Sequence, residues 1–275
     1  MLVLLPPSET KASGGTGPSL RTAGLGPPLL AAARGPLLES VARFCRDDPA
    51  AATAALKLPA GSAATALAVN TTMLDAPTMP AIERFTGVLY EALDATTLTE
   101  SQRARAAGTV VIMDGAFGAV RGDELLPDHR VPASATVPGV GSVTAWWRPA
   151  LRGYLPLLLG HGPVLDLRST DYTAMWPVTG PLRRQVVPVR VLVERGRGRA
   201  RVLRAISHPA KVGKGRLARA LLTAPVLPGA GEGITFAHAV SDLAEGLGFR
   251  VEVRRGAADQ VALDLISREP AARRR

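Results

Sequence analysis

The sequence predicts a mixed α/β (α+β) fold, a single domain whose central sheet is flanked by helices, and three features predict it. Short unbroken apolar runs at Leu2 to Leu5, Thr109 to Met113 and Pro163 to Leu167 read as buried strands. Pro27 to Asp94 and Val143 to Gly160 carry apolar residues at helical spacing. Towards the C-terminus, Val186 to Val193 with Ala200 to Ser207, and Phe249 to Arg254 with Gln260 to Ile266, alternate as hairpin strands. The domain is read as residues 1–270, with 271–275 as a basic disordered tail.

Composition narrows the function classes. With 47% hydrophobic and 20% charged residues the chain falls among soluble globular proteins. Its apolar runs are too short to span a bilayer, and the opening MLVLLPPSETK lacks the basic start and long apolar stretch of a signal peptide, so a cytoplasmic protein without a membrane partner is expected. One cysteine, Cys45, excludes an intramolecular disulfide and a Cys-built zinc cage; on a helical stretch it reads as a buried structural thiol. His129, His161, His208 and His238 form no i, i+4 pair, so no metal site is expected, and no cofactor.

In chain order, the first strand runs into Pro6-Pro7 and then Ser8-Glu9-Thr10-Lys11. Polar groups directly after a central strand are where sheet proteins hold ligands, which makes Ser8, Glu9 and Lys11 candidates. Gly14, Gly15 and Gly17 form neither a GxGxxG nor a Walker loop, which excludes a standard dinucleotide or NTP site. Within the helical region, Leu56-Lys57-Leu58-Pro59-Ala60-Gly61 followed by Ala63 to Val69 has the form of a helix-hairpin-helix element. Its backbone amides and following helix start suit a DNA phosphate, with Lys57 and Gly61 as contacts. Val137 to Ala145 fits the hairpin letters better but lacks a preceding helix.

Arg103 to Ala107 closes a helix, and the second strand ends in Asp114-Gly-Ala-Phe-Gly118, where Gly115 permits close backbone approach. Arg121, His129 and Arg130 follow as polar candidates, with Asp128 better read as an ordinary loop residue. Trp146 and Trp147 point in different directions on a helix interrupted by Pro149 and Pro156. One belongs to the core, and the other is free to join it or to wall a cavity. The third strand leads into Arg168-Ser169-Thr170-Asp171-Tyr172, adding Ser169 and Tyr172. The strand ends converge most simply on one rim.

Between residues 183 and 219 lie twelve Lys/Arg and one acid, Glu194, a field that attracts phosphate. It includes the basic hairpin tip Glu194 to Arg199 and the stretch Ile206 to Arg219. The chain has only four lysines, Lys11, Lys57, Lys211 and Lys214. A lysine amine can lose its proton when desolvated whereas a guanidinium cannot, so these positions draw attention in an arginine-rich chain. Ser207 and Lys211 are read as facing an interior rim at the end of the strand Ala200 to Ser207, and Lys214, Arg216 and Arg219 as the phosphate-facing outer side of the helix that follows, Lys211 to Leu222.

Four motifs, P-P-S-E-T-K, D-G-A-F-G-A-V-R, D-L-R-S-T-D-Y-x-x-x-W and S-H-P-A-K-x-G-K-G-x-L-A-R, resemble in order and spacing those of the YaaA family of peroxide stress proteins. The resemblance implies a mixed α/β domain with a helix-hairpin-helix element, binding of double-stranded DNA, and survival of hydrogen peroxide by limiting free iron. It carries over to Ser8 and Lys11; Gly115, Phe117, Gly118 and Arg121; Arg130; Ser169 and Tyr172; and Ser207, Lys211 and Gly215. The chain departs from the family at Asp114, usually serine, at Phe117 and His129, more often tyrosine, and at Lys214, usually arginine, as a divergent actinobacterial-type member. Two functions follow: a stress protein holding duplex DNA by its phosphates without reading sequence, or an enzyme acting on a nucleotide, nucleobase or similar small anionic ligand. In the second, Lys11, Lys211, Ser169 and Tyr172 are catalytic candidates, and Ser8, Gly115, Arg121, Arg130 and Ser207 bind the ligand.

Overall fold

A computed structural model describes residues 1–196, 202–228, 233–256 and 260–268. Eight strands form one sheet: β1 (Leu2–Leu5), β2 (Val110–Asp114), β3 (Gly118–Arg121), β4 (Val164–Asp166), β5 (Val186–Arg195), β6 (Val202–Arg204), β7 (Arg250–Arg255) and β8 (Val261–Arg268). The order is β7-β8-β5-β4-β1-β2-β3, with β6 paired to β5. β1 lies parallel to both β2 and β4, with Leu4 opposite Val111 and Asp166, and β4 runs parallel to β5. The C-terminal ends of β2, β1 and β4 therefore share one edge of the sheet. β3, β6 and β7 are antiparallel additions.

The three central strands are buried at every residue, as a sheet covered on both faces requires, and their sequences are accordingly continuous apolar runs. The helices are α1 (Pro28–Asp47), α2 (Pro49–Ala55), α3 (Ala63–Thr72), α4 (Val88–Leu93), α5 (Glu100–Thr109), α6 (Val143–Leu159), α7 (Thr170–Met175), α8 (Ser207–Thr223) and α9 (Ile234–Gly246). Short helices also form at Leu20–Ala23, Ala81–Arg84 and Leu182–Gln185. α5 starts on a capping box in which Thr99 and Gln102 satisfy each other's amides. Thr109 is its last residue, not the first of the strand.

Proline does not interrupt helices here as the sequence suggested. Pro36 lies inside α1, and Pro149 and Pro156 lie inside an unbroken α6. All three sit at half-buried or exposed positions, where water can take over the freed carbonyls. Trp147 is buried and donates to the Gly115 carbonyl at 2.8 Å. Trp146 is half-buried, donates to Ala33 O at 3.1 Å and walls an apolar groove of about 530 Å³ with Leu29, Val140 and Pro149. Val137 to Ala145 is a two-stranded turn, Thr136–Val137 against Gly141–Ser142, leading into α6. Cys45 is buried, as expected of a structural thiol. The basic tip and the C-terminal tail singled out in the sequence fall mostly outside the described residues.

Two buried arginines staple the loops around the sheet. Arg84 donates to the carbonyls of Leu126 at 3.0 Å and Gly14 at 2.7 Å and to that of Ala12, tying down the glycine-rich loop. Arg34 holds Phe117 O and Ala119 O, each at 2.8 Å, and pairs with Glu124. Each guanidinium spreads its fork of donors over backbone carbonyls of separate segments and so ties them together.

Candidate functional site at the strand-end rim

After β1, Ser8 Oγ donates to Thr10 O at 2.5 Å and accepts from the Thr86 amide at 3.1 Å. This turn brings Lys11 into a bridge with Phe85. Lys11 Nζ donates to Ser8 O at 3.1 Å and stands 5.1 Å from the centroid of the Phe85 ring. Among the described residues no carboxylate comes within ion-pairing reach of it. Burial pulls the Lys11 ammonium down to about 8; Arg130 and Arg84 reinforce the shift, and Asp114 and Asp128 oppose it.

β2 delivers Asp114, 1% exposed. Its Oδ1 accepts from the amides of Ala116 at 2.8 Å and Phe117 at 3.0 Å, and its Oδ2 lies 3.1 Å from His129 Nε2. Burial favours the protonated carboxyl, but His129, Lys11 and the Phe117 amide outweigh it and hold the pKa at about 2. The His129 ring is packed edge-on between Phe85 and Phe117, with Nδ1 3.0 Å from Pro127 O. Burial pushes its imidazole pKa down, while Asp114 and the Pro127 carbonyl pull the other way.

β4 supplies the third side. Arg168 clamps Asp166 through Nε at 2.8 Å and Nη2 at 2.7 Å, and its Nη1 holds Tyr172 O at 3.2 Å and Trp176 O at 3.0 Å. That buried pair positions Tyr172 on α7. Burial, then the charge of Asp114, push the Tyr172 phenol up, and a hydrogen bond from the Ala133 backbone opposes them. Tyr90 on α4 donates to Pro6 O at 2.8 Å, and burial together with Asp114 and Tyr172 raises its pKa further. Lys11, Tyr90, His129 and Tyr172 thus surround one carboxylate. Arg130 closes the edge, its Nη1 shared between Asp128 and His129 O at 2.8 Å.

Several sequence-predicted residues lie elsewhere. Arg121 ends β3 opposite Val111, at the far end of the strand that delivers Asp114, and donates to Ala107 O at 2.6 Å. At Gly115 a Cβ would run into the Val131 carbonyl, so the missing side chain lets the Val131 to Ala133 segment pack against this turn. Ser169 is exposed at the start of α7. The orientation of α8 reverses the expectation. The helix begins at Ser207, so Ser207 and Lys211 occupy its exposed first turns. Lys214 is the inward lysine, donating to Arg168 O at 2.9 Å, and burial pulls its ammonium down to about 8 against the charge of Asp166. Arg219 is spent on Leu93 O at 2.8 Å, Asp94 O at 2.7 Å and Thr97 Oγ1 at 2.8 Å, and the exposed Arg216 reaches back to Leu247 O at 2.9 Å. Among the described residues no group of three or more His, Cys, Asp or Glu could hold a metal ion.

The family model described as Peroxide stress protein YaaA matches residues 1–227, which include all of these side chains. The chain belongs to the YaaA family of peroxide stress proteins. A UPF0246 protein of Streptomyces coelicolor is 38% identical over 228 residues, 83% of this chain and 85% of the relative. One of Corynebacterium efficiens is 36% identical over 271 residues, 96% of this chain and 99% of the relative. One of Corynebacterium glutamicum is 33% identical over 225 residues, 80% and 84% of the two chains.

In this YaaA family member two of the departures from the family pattern, Asp114 and His129, are partners of each other. Phe117, a third, packs against the His129 ring with centroids 4.9 Å apart. The glycine of the last motif, Gly215, lets α8 press on α4: a Cβ would meet the Leu89 carbonyl and come within 2.8 Å of Ala92 Cβ. Tyr90 escaped the sequence reading because a tyrosine at an apolar helix position reads as core; nothing in its surroundings in sequence marks it as part of a polar cluster.

Proposed function

We propose that this YaaA family protein serves the peroxide stress response by binding and acting on a nucleotide, nucleobase or similar small anionic ligand at the strand-end rim. The observation that carries this is the half-buried Lys11, held without an ion-pair partner and within reach of the charges of the buried Asp114 and of Arg130. Arg130 engages its neighbours through Nη1, which leaves Nε and Nη2 for an anionic group of the ligand. Lys11, whose proton is easily lost, acts as base or nucleophile, and Tyr172, which stays protonated, offers a neutral hydrogen-bonding group. The test is a thermal-shift screen of nucleotides and nucleobases against wild type, Lys11→Met and Lys211→Met. The reading requires a ligand whose shift is lost in the first variant and kept in the second; a shift retained in Lys11→Met removes the rim from the function.

A second reading, non-specific binding of duplex DNA, is supported by the turn between α2 and α3. Lys57 adopts a left-handed conformation there, with φ 52°, and Gly61 faces open space, so a phosphate can approach the backbone in the manner of a helix-hairpin-helix element. Lys57 Nζ reaches Ser134 Oγ at 2.9 Å, next to the Ala133 amide that contacts Tyr172, so this turn adjoins the rim. The net charge of +10 favours such a partner. Binding that is absent at low ionic strength removes this reading.

A further inference from the structure

Resting on the rim as a ligand site, we propose that Lys11 is a carbonyl-reactive amine, and that the substrate class is an aldehyde or ketone carrying a phosphate or carboxylate group held by Arg130. The four lysines of the chain fall into two kinds. Lys57 and Lys211 are exposed, and Lys11 and Lys214 are half-buried. Lys214 reaches into the packed Asp166–Arg168 pair and is held by Arg168 O at 2.9 Å. Lys11 alone combines a half-buried position, one hydrogen bond from a nitrogen with three donors, an aromatic face beneath it and an arginine with uncommitted donors close enough for its charge to act on the amine.

These features match the requirements of imine formation. The neutral amine donates its lone pair to the carbonyl carbon, a C–N bond forms, and the C=O π pair moves to oxygen. That oxygen takes a proton as the nitrogen loses one, giving a carbinolamine. Protonation of its hydroxyl by a proton from solvent lets water leave as C=N forms. Water attack reverses the sequence and returns the free amine. No oxidant or reductant is consumed. Asp114 has both oxygens engaged by Ala116, Phe117 and His129, so it supplies a fixed negative charge that stabilises a protonated imine and does not compete as a nucleophile.

Borohydride trapping tests this without an identified substrate. The whole protein is incubated with limiting pyridoxal 5′-phosphate, with pyridoxal, or with glyoxylate, reduced with sodium borohydride, digested and mapped by mass. The expected result is one adduct per chain on Lys11, with pyridoxal 5′-phosphate labelling at least tenfold faster than pyridoxal. Glyoxylate compared with pyridoxal 5′-phosphate tells a carboxylate site from a phosphate site. In Arg130→Gln the advantage of the anionic aldehydes over pyridoxal should vanish while Lys11 remains the labelled residue. Labelling of Lys57 and Lys211 as fast as Lys11 overturns the proposal, and because that readout comes from wild type it does not depend on a variant folding. A nucleotide thermal shift lost in Lys11→Met with no Lys11 adduct would reject the imine and keep the ligand site. A Lys11 adduct with no nucleotide shift would do the reverse.

Discussion

Asp114 Oδ2 and His129 Nε2 meet at 3.1 Å with their side chains 2% and 0% exposed, so the carboxylate charge and its hydrogen bonds can be separated by two substitutions. In Asp114→Asn the amide oxygen can still accept from Ala116 and Phe117. The Asn NH₂ can donate to a neutral His129 Nε2 whose Nδ1–H goes to Pro127 O. Every partner remains satisfied, so the cost should be about 1 kcal/mol. Asp114→Ala strands the imidazole and two buried amides and should cost about 3 kcal/mol or more. Urea midpoints at unchanged m-value measure both; equal losses would show that the charge, not the hydrogen bonding, holds this turn.

The same carboxylate sets an acid limit. Its pKa is depressed in the folded protein to about 2, so its contribution is fully present above the unfolded value near 3.9 and is lost as pH falls through about 2. The lost stability is about 2 kcal/mol. Unfolding free energies measured from pH 5 down to pH 2 should fall more steeply in wild type than in Asp114→Asn, which lacks this titration.

Gly215→Ala is predicted to disturb the docking of α8 on α4. The added methyl meets the Leu89 backbone carbonyl, which cannot rotate away as a side chain would, and lies close to Ala92. An overpacking cost of about 2–3 kcal/mol is expected, read as a lower denaturant midpoint. Gly61→Ala, which faces open space, is the matched control and should shift the midpoint far less.

The architecture was legible where burial imposes a simple pattern. The runs at Leu2 to Leu5 and around Val111 and Leu165 are central strands because both faces of the sheet are covered, and Lys11, Asp114 and Tyr172 follow them onto one rim because the strands are parallel. What sequence could not give is which way a side chain faces on α8. Lys211 and Lys214 are three residues apart, and the choice between them rests on Gly213 and Gly215 pressing that face against β5 and α4, a tertiary fact. Arg219 looked like a phosphate contact for the same reason; its true acceptors, the carbonyls closing α4, lie far away in the chain. Arg34 and Arg84 were invisible as buried staples, since in a chain with 33 basic residues an arginine carries no signal of its burial.

If duplex DNA is a partner, Lys57→Glu should weaken binding and lower the slope of log K against log salt by about 1, because one phosphate contact is lost. Arg219→Ala should instead lower thermal stability, as its donors serve Leu93, Asp94 and Thr97, and leave the salt slope unchanged. Fluorescence anisotropy over a salt series separates the two, and a slope altered more by Arg219→Ala would move the DNA surface from the α2–α3 turn to α8.

The reactivity of Lys11 should follow its own titration. Its ammonium is pulled down to about 8, so the trapped adduct should rise through about pH 8, whereas a free lysine side chain in the same mixture rises only near pH 10.4. Arg130 is one of the cations that lower it. Removing that charge in Arg130→Gln favours the protonated amine and should move the inflection to higher pH. Charge-preserving Arg130→Lys should restore part of the shift, which a purely structural role for Arg130 would not produce. An inflection near 10 in wild type would mean that water reaches the amine freely and that the rim does not tune it.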